Sequence, residues 1–112
     1  MQQLIRGSPG SRGKVEGTAR VIVDFDQLGT FRKDDVLVTR VTSPMWTPVI
    51  HSAAAVVTEV GGALSHAAIV CREYGIPAVV GTGNATKVIK DGQRIAVDGE
   101  KGEVMILDSN SK

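Results

Sequence analysis

The stretch from Ala53 to Val80 constrains the fold more than any other part of this chain. An unbroken run of small and β-branched residues, Ala53-Ala54-Ala55-Val56-Val57-Thr58, leads through Glu59-Val60 to the pair Gly61-Gly62. Such a run reads as a strand covered on both faces. Leu64 to Tyr74 reads as a helix: Ala67, Ala68, Ile69 and Val70 suit burial, Arg72 and Glu73 suit a polar face, and Gly75 with Pro77 ends it. Ala78-Val79-Val80 then returns as a strand. Strand, glycine turn, helix and strand make a βαβ unit, which implies two parallel strands joined by a right-handed crossover. Its ligand end is the Gly61-Gly62 end, because open α/β sheets bind ligands beyond the carboxyl ends of their strands.

The flanking segments fill out an α/β fold with a partly parallel central sheet. Gly7-Ser8-Pro9-Gly10-Ser11 has turn chemistry and predicts a loop leading into the strand Thr18-Ala19-Arg20-Val21-Ile22-Val23. Asp24 to Leu28 predicts a helical turn, and Val36-Leu37-Val38-Thr39 a second buried strand. Thr42-Ser43-Pro44 is a helix start, with Ser43 as N-cap and Pro44 where a missing N–H costs nothing, and the helix runs to about Ser52. Ala85 to Ile89 reads as a short helix. Arg94-Ile95-Ala96-Val97 pairs with Glu103-Val104-Met105-Ile106 across the turn Asp98-Gly99-Glu100-Lys101-Gly102. The domain is expected to span 7–107, with 1–6 an N-terminal extension and 108–112 a polar, frayed tail.

At 112 residues the chain has the length of one domain, too short to hold a nucleotide-binding and an acceptor domain as well. Hydrophobic residues make up 42% and charged ones 22%, which predicts a packed core and not a disordered chain. Net charge is +1, and Trp46, Tyr74, Phe25 and Phe31 do not interleave with basic residues, which argues against a nucleic-acid surface. Cys71, the one cysteine, has no internal disulfide partner, and Met1-Gln2-Gln3 lacks a signal peptide's basic and apolar regions. No apolar run approaches the roughly 20 residues that span a bilayer, so a cytoplasmic location without a membrane partner is expected. His51, His66 and Cys71 are too few and wrongly spaced for a zinc site, so no metal is expected on the chain. His51 is expected to cap or line its own helix, Cys71 to be a buried small hydrophobe, Trp46 to be a core or, by preference, a domain-contact residue, and Lys87, Lys90 and Lys101 to be solvated.

Gly61-Gly62-Ala63-Leu64-Ser65-His66 puts an imidazole in the first turn of a helix, where backbone N–H groups lack intrahelical partners. Glycines let the backbone approach an anion closely, and the helix dipole favours that anion by about 0.3–1 kcal/mol. A nucleophilic histidine must be neutral, because a proton on the attacking nitrogen occupies its lone pair. Ser65 adds a hydroxyl donor, and Glu59 or a nearby backbone carbonyl is in place to hold the other ring N–H. Which nitrogen attacks is not readable from the sequence, and a lone histidine here also suits capping or packing.

Taken together, Thr58-Glu59-Val60-Gly61-Gly62-Ala63-Leu64-Ser65-His66-Ala67-Ala68-Ile69-Val70-Cys71-Arg72-Glu73-Tyr74-Gly75-Ile76-Pro77-Ala78-Val79-Val80-Gly81 closely resembles the signature of the phosphoenolpyruvate-utilising enzyme mobile domain. Gly7-Ser8-Pro9-Gly10 with Gly17 is similar to that family's opening, Thr42-Ser43-Pro44-Met45-Trp46-Thr47-Pro48 to its middle segment, and Asp98 to Val104 to its closing hairpin. The resemblance implies a three-layer swivelling β/β/α domain. It makes His66 the phosphohistidine, shuttled between an ATP-grasp nucleotide site and an acceptor site such as pyruvate or phosphoenolpyruvate. Gly61, Gly62, Ala63, Leu64, Ser65, Glu59 and Arg72 become its phosphate-binding or supporting residues, with the N–H groups of Ala63 to Ser65 as donors. Arg72, six residues from His66, is on a different helical face and is also suited to a partner domain.

On the same resemblance the chain is the carrier of a multidomain phosphotransferase, inactive alone and binding no cofactor itself, while Mg²⁺ and ATP belong to partner domains. Those partners lie in other chains or in a larger parent protein. Plant dikinases carry a regulatory threonine two residues before the phosphohistidine, where this chain has Leu64. That position resembles the synthase-like and antibiotic-phosphotransferase branches instead. Donor and acceptor stay open, as does the alternative of a non-catalytic regulatory or interaction module of the same fold, similar to the C-terminal domain of some pyruvate kinases.

Overall fold

In the computed structural model, which describes residues 3–107, alternation within the apolar runs sorts their side chains into two separate cores. The strands are β1 (Gln3–Arg6), β2 (Ser8–Ser11), β3 (Lys14–Ile22), β4 (Val36–Thr39), β5 (Ala55–Thr58), β6 (Ala78–Val80), β7 (Arg94–Asp98) and β8 (Glu103–Ile106). The α-helices are α1 (Thr47–Ser52), α2 (His66–Tyr74) and α3 (Ala85–Val88), with 3-10 turns at Phe25–Thr30 and Pro44–Trp46.

The strands lie in the order β1-β8-β7-β3-β4-β5-β6-β2. β3 joins two halves of unlike character: Lys14 to Thr18 pair antiparallel with β7, and Ala19 to Ile22 pair parallel with β4. β4, β5 and β6 continue in parallel, so the expected βαβ unit is present as β5-α2-β6. β1 and β2 sit at opposite ends of the strand order, yet only Gly7 separates them in the chain. One residue spans only about 3.8 Å between Cα atoms, so the sheet must curl until its two edges meet. The Gly7 N–H donating to the Gly102 carbonyl at 2.8 Å and the Gly99 N–H donating to that of Gly13 at 2.7 Å fasten the junction.

Curling creates the layers. Val36, Val38, Ala55, Val57 and Val79 point inward against Ile5, Ile95, Val97, Val104 and Ile106 of the antiparallel half. Their chain neighbours Leu37, Val56, Ala78 and Val80 point outward against Trp46, Ile50, Ala67, Ala68, Cys71 and Ile76 beneath the helices. Period-two geometry thus makes a fully apolar strand fill both cores, each buried Val or Ile contributing about 1.5–3 kcal/mol. The result is the three-layer β/β/α arrangement.

Several local expectations need correction. Residues 3–6, read as an extension, form edge strand β1, with Ile5 only 4% exposed. The loop expected at 7–11 is strand β2, bulged between Pro9 and Ser11 against β6; an edge strand tolerates a proline that cannot donate to a ladder. β3 starts at Lys14, four residues early, because its first half pairs with β7. The helix predicted from Pro44 is a 3-10 turn followed by α1, and Ser43 stands at the cap without a side-chain cap bond. Trp46, expected at a domain contact, is 8% exposed and packs edge-to-face on Phe25 at 5.4 Å. The tail expected at 108–112 lies outside the described residues.

Candidate functional site

The carboxyl ends of β4 and β5 and the amino end of α2 converge on His66. Beyond Thr39 and Thr58 the two chains stay side by side: the Glu59 N–H donates to the Thr39 and Arg40 carbonyls at 3.2 and 3.1 Å, and the Val60 N–H to that of Arg40 at 2.9 Å. From the other side, the Thr82 N–H donates to the Thr58 carbonyl and the Gly83 N–H to that of Glu59. The glycine loop therefore starts from a fixed platform.

Gly61 has φ +119°, and a Cβ there would meet the Ser65 Cβ at 2.8 Å, so this turn requires glycine. Around Gly62, by contrast, a Cβ would find open space. The turn closes when the Ser65 N–H and hydroxyl both donate to the Gly62 carbonyl, at 3.0 and 2.8 Å. Ser65 is the N-cap of α2, its oxygen accepting from the Ala68 N–H at 3.4 Å.

This arrangement revises the expected roles. The helix begins at His66, not Leu64, and Leu64 is displayed at 83% exposure. Ser65 is occupied within its own turn, so neither its N–H nor its hydroxyl is a free phosphate donor. The N–H groups of Ala63, Leu64, His66 and Ala67 have no acceptor among the described residues. Of the three N–H groups expected to be free, Ala63 and Leu64 are and Ser65 is not, and His66 and Ala67 join them.

The ring partner is Thr42, whose Oγ1 lies 2.8 Å from His66 Nδ1 across 24 residues of sequence. Thr42 is buried, in the segment after β4, and sequence reading did not single it out as a site residue. Its place in the Thr42-Ser43-Pro44 segment of the family resemblance was the available signal. Glu59, expected with a nearby backbone carbonyl as one of two candidates to hold the ring, bonds elsewhere. One of its carboxylate oxygens accepts from both the N–H and the hydroxyl of Thr86, and the other lies 3.9 Å from Arg40 Nε. Burial pushes the Glu59 carboxyl up, but Thr86, then Lys87 and last Arg40 outweigh it and hold the carboxyl below its ordinary value.

Arg72 is not at the site. Its guanidinium donates to the Gly10 carbonyl at 2.8 Å and fastens β2 to the far end of α2, six residues or about 9 Å along the axis from His66. Cys71 is buried and its thiol is pushed up to about 12 by that burial, which makes it inert. His51 stacks edge-to-face on Tyr74 at 4.4 Å, lining α1 against α2.

A rim of exposed apolar side chains belongs to the segments that build the site: Val41, Met45, Val60, Leu64 and Ile69. Among the described residues there is no cluster of three His, Cys, Asp or Glu that could hold a metal, and no helix long and apolar enough to cross a membrane.

Residues 31–102 match the family described as PEP-utilising enzyme, mobile domain. The chain is 51% identical over 105 residues to a rifampicin phosphotransferase of Bacillus cereus, covering 94% of this chain. It is 52% identical over 103 residues to a probable phosphoenolpyruvate synthase of Staphylothermus marinus, covering 90% of this chain. In each case it spans only 12% of the relative's length. Among solved structures, Enzyme I superposes with a TM-score of 0.61 and 37% identity, over 70% of this chain and 33% of that one. With the family match, the identity to these relatives and the three-layer fold in agreement, the chain belongs to the mobile-domain family of the phosphoenolpyruvate-utilising enzymes.

Proposed function

We propose that this domain is a phosphoryl carrier in which Nε2 of His66 accepts a phosphoryl group at one site and surrenders it at another. The observation that carries the proposal is the Thr42 Oγ1 to His66 Nδ1 contact. If Nδ1 accepted the threonine proton, Nε2 would hold the ring hydrogen and neither nitrogen would have a free lone pair. With Nδ1–H donating to Thr42, the Nε2 lone pair is free to attack phosphorus. The N–P bond forms as the P–O bond to the donor breaks, and the electron pair leaves with the donor oxygen. The ring becomes a phosphoimidazolium whose positive charge Thr42 Oγ1 faces. The unpartnered N–H groups at the start of α2 are suited to the transferred oxygens.

Phosphoryl transfer needs in-line positioning and charge neutralisation more than covalent help from the carrier. In this reading partner domains supply both: an ATP-grasp nucleotide site with its Mg²⁺, and a separate site for pyruvate or phosphoenolpyruvate or, by analogy with the rifampicin phosphotransferase, for an antibiotic hydroxyl. The exposed rim of Leu64, Met45, Val60, Val41 and Ile69 would meet those domains in turn and exclude water from the phosphoramidate bond. Such chemistry places the protein in the cytoplasm, where nucleotide and phosphoenolpyruvate are available.

The test is chemical labelling of the purified domain. Phosphoramidate, which transfers its phosphoryl group with loss of ammonia, should give an acid-labile, base-stable label on His66, and His66→Ala should remove it completely without lowering the unfolding temperature. Undiminished labelling of the alanine variant would sink the assignment. A wild-type domain that takes no label, from phosphoramidate or from cognate partner domains, would leave the non-catalytic interaction module as the reading.

A further inference from the structure

We infer that Arg40 is the charge partner of phosphorylated His66, a guanidinium parked beside Glu59 in the free domain and recruited by the incoming phosphoryl group. The inference rests on the carrier reading and extends it to a residue outside the family signature segment. Arg40 is the first residue after β4, and its carbonyl receives the Glu59 and Val60 N–H groups. Two residues further on, Thr42 holds the ring of His66. Arg40 thus stands at the same carboxyl edge of the sheet as the nucleophile.

Its side chain is 64% exposed, and its one ion pair among the described residues is loose, with Nε 3.9 Å from a Glu59 oxygen. That distance is beyond a hydrogen bond. Glu59 does not depend on it, because Thr86 and Lys87 contribute more than Arg40 to keeping its carboxyl ionised. Two of the other arginines are committed elsewhere: Arg20 bonds Asp35 and Asp91, both at 3.0 Å, and Arg72 bonds the Gly10 carbonyl. Among the described residues, the two terminal nitrogens of Arg40 have no partner.

The chemistry asks for such a group only after transfer. Unmodified His66 needs no cation nearby. A phosphoryl group brings close to two negative charges, against which backbone N–H groups and a helix end offer only partial charge. A guanidinium matches phosphoryl oxygens bidentately. Leaving a loose surface pair costs Arg40 little, and Thr86 and Lys87 continue to favour the ionised Glu59 when it departs.

Phosphoramidate labelling with ³¹P NMR pH titration tests this on wild type, Arg40→Gln and Arg40→Lys. In Arg40→Gln, His66 should still accept the label and the unfolding temperature should stay put, but the phosphoryl group should titrate about one pH unit higher. Arg40→Lys should fall between. In ¹⁵N spectra of wild type, the Arg40 Nε signal should move on labelling and stay fixed in His66→Ala. A phosphoryl titration identical in wild type and Arg40→Gln, with an unmoved Nε signal, overturns the role of Arg40 and leaves the carrier reading intact. A wild type without label on His66 overturns both.

Discussion

The two ends of α2 look alike in sequence, each marked by glycine and each carrying a residue suited to phosphate, yet they are built oppositely. At the C-terminal end the chain caps itself: Gly75 in the left-handed conformation and Ile76 both donate to the Cys71 carbonyl, and the Arg72 side chain is tied to Gly10. At the N-terminal end, four backbone N–H groups have no acceptor among the described residues, and Leu64 stands out into solvent above a half-buried His66. A helix end capped by its own chain is architecture. One left unsatisfied beside an oriented imidazole is poised for something that arrives from outside.

Substitutions at the two ends should separate these roles. After His66→Ala, the largest effect on labelling is expected from Thr42→Val, which keeps the buried volume but removes the ring partner. The rate of phosphoramidate labelling should fall on the order of 10- to 100-fold while Tm holds. Thr42→Ser should restore it, and a valine variant labelling at the wild-type rate would refute the tautomer argument.

The positive-φ glycines that flank α2, Gly61 and Gly75, give a matched pair. Gly61→Ala strains the backbone and drives a methyl group into Ser65, so the cap moves and labelling should slow about tenfold along with a loss of roughly 2 kcal/mol or more in urea unfolding. Gly75→Ala meets no neighbour and should cost only the backbone strain, about 1 kcal/mol, at unchanged labelling rate. If Gly75→Ala slowed labelling as much as Gly61→Ala, the two ends would not be independent.

The smallest effect belongs to Glu59. Its folded pKa lies below the ordinary 4.5, so its stabilising contribution is fully present above that value and is lost as pH falls through the folded one. Glu59→Gln should flatten the acid limb of Tm against pH below about 4.5, a difference on the order of a few degrees, and leave labelling at neutral pH unaltered. A collapse of labelling in Glu59→Gln would return Glu59 to the ring-holding role expected from sequence.

Sequence legibility followed distance along the chain. β4, β5, β6, the β7-β8 hairpin and α2 were readable because each is a local pattern of apolar residues and turn chemistry. β1 and β2 were not, since their sequences carry turn residues and become strands only because β8 and β6 offer edges to pair with. The place of His66 in the first turn of a helix after a glycine pair was legible locally, while the role expected for it came from the family resemblance. The bonds of the supporting residues were not legible, because Glu59, Ser65 and Arg72 find partners in Thr86, Gly62 and Gly10 that only the folded chain brings near.

What the sequence alone determined is the βαβ unit and the histidine at its ligand end, for hydrophobic period, glycine and helix cap act within a few residues. What only the tertiary structure decided is which groups surround that histidine. The parallel register of β4 and β5 brings Arg40 and Thr42 beside the glycine loop, and α2 packing on β2 carries Arg72 away. No local pattern encodes those neighbours, because they are fixed by strand pairing and side-chain packing between segments far apart in the chain.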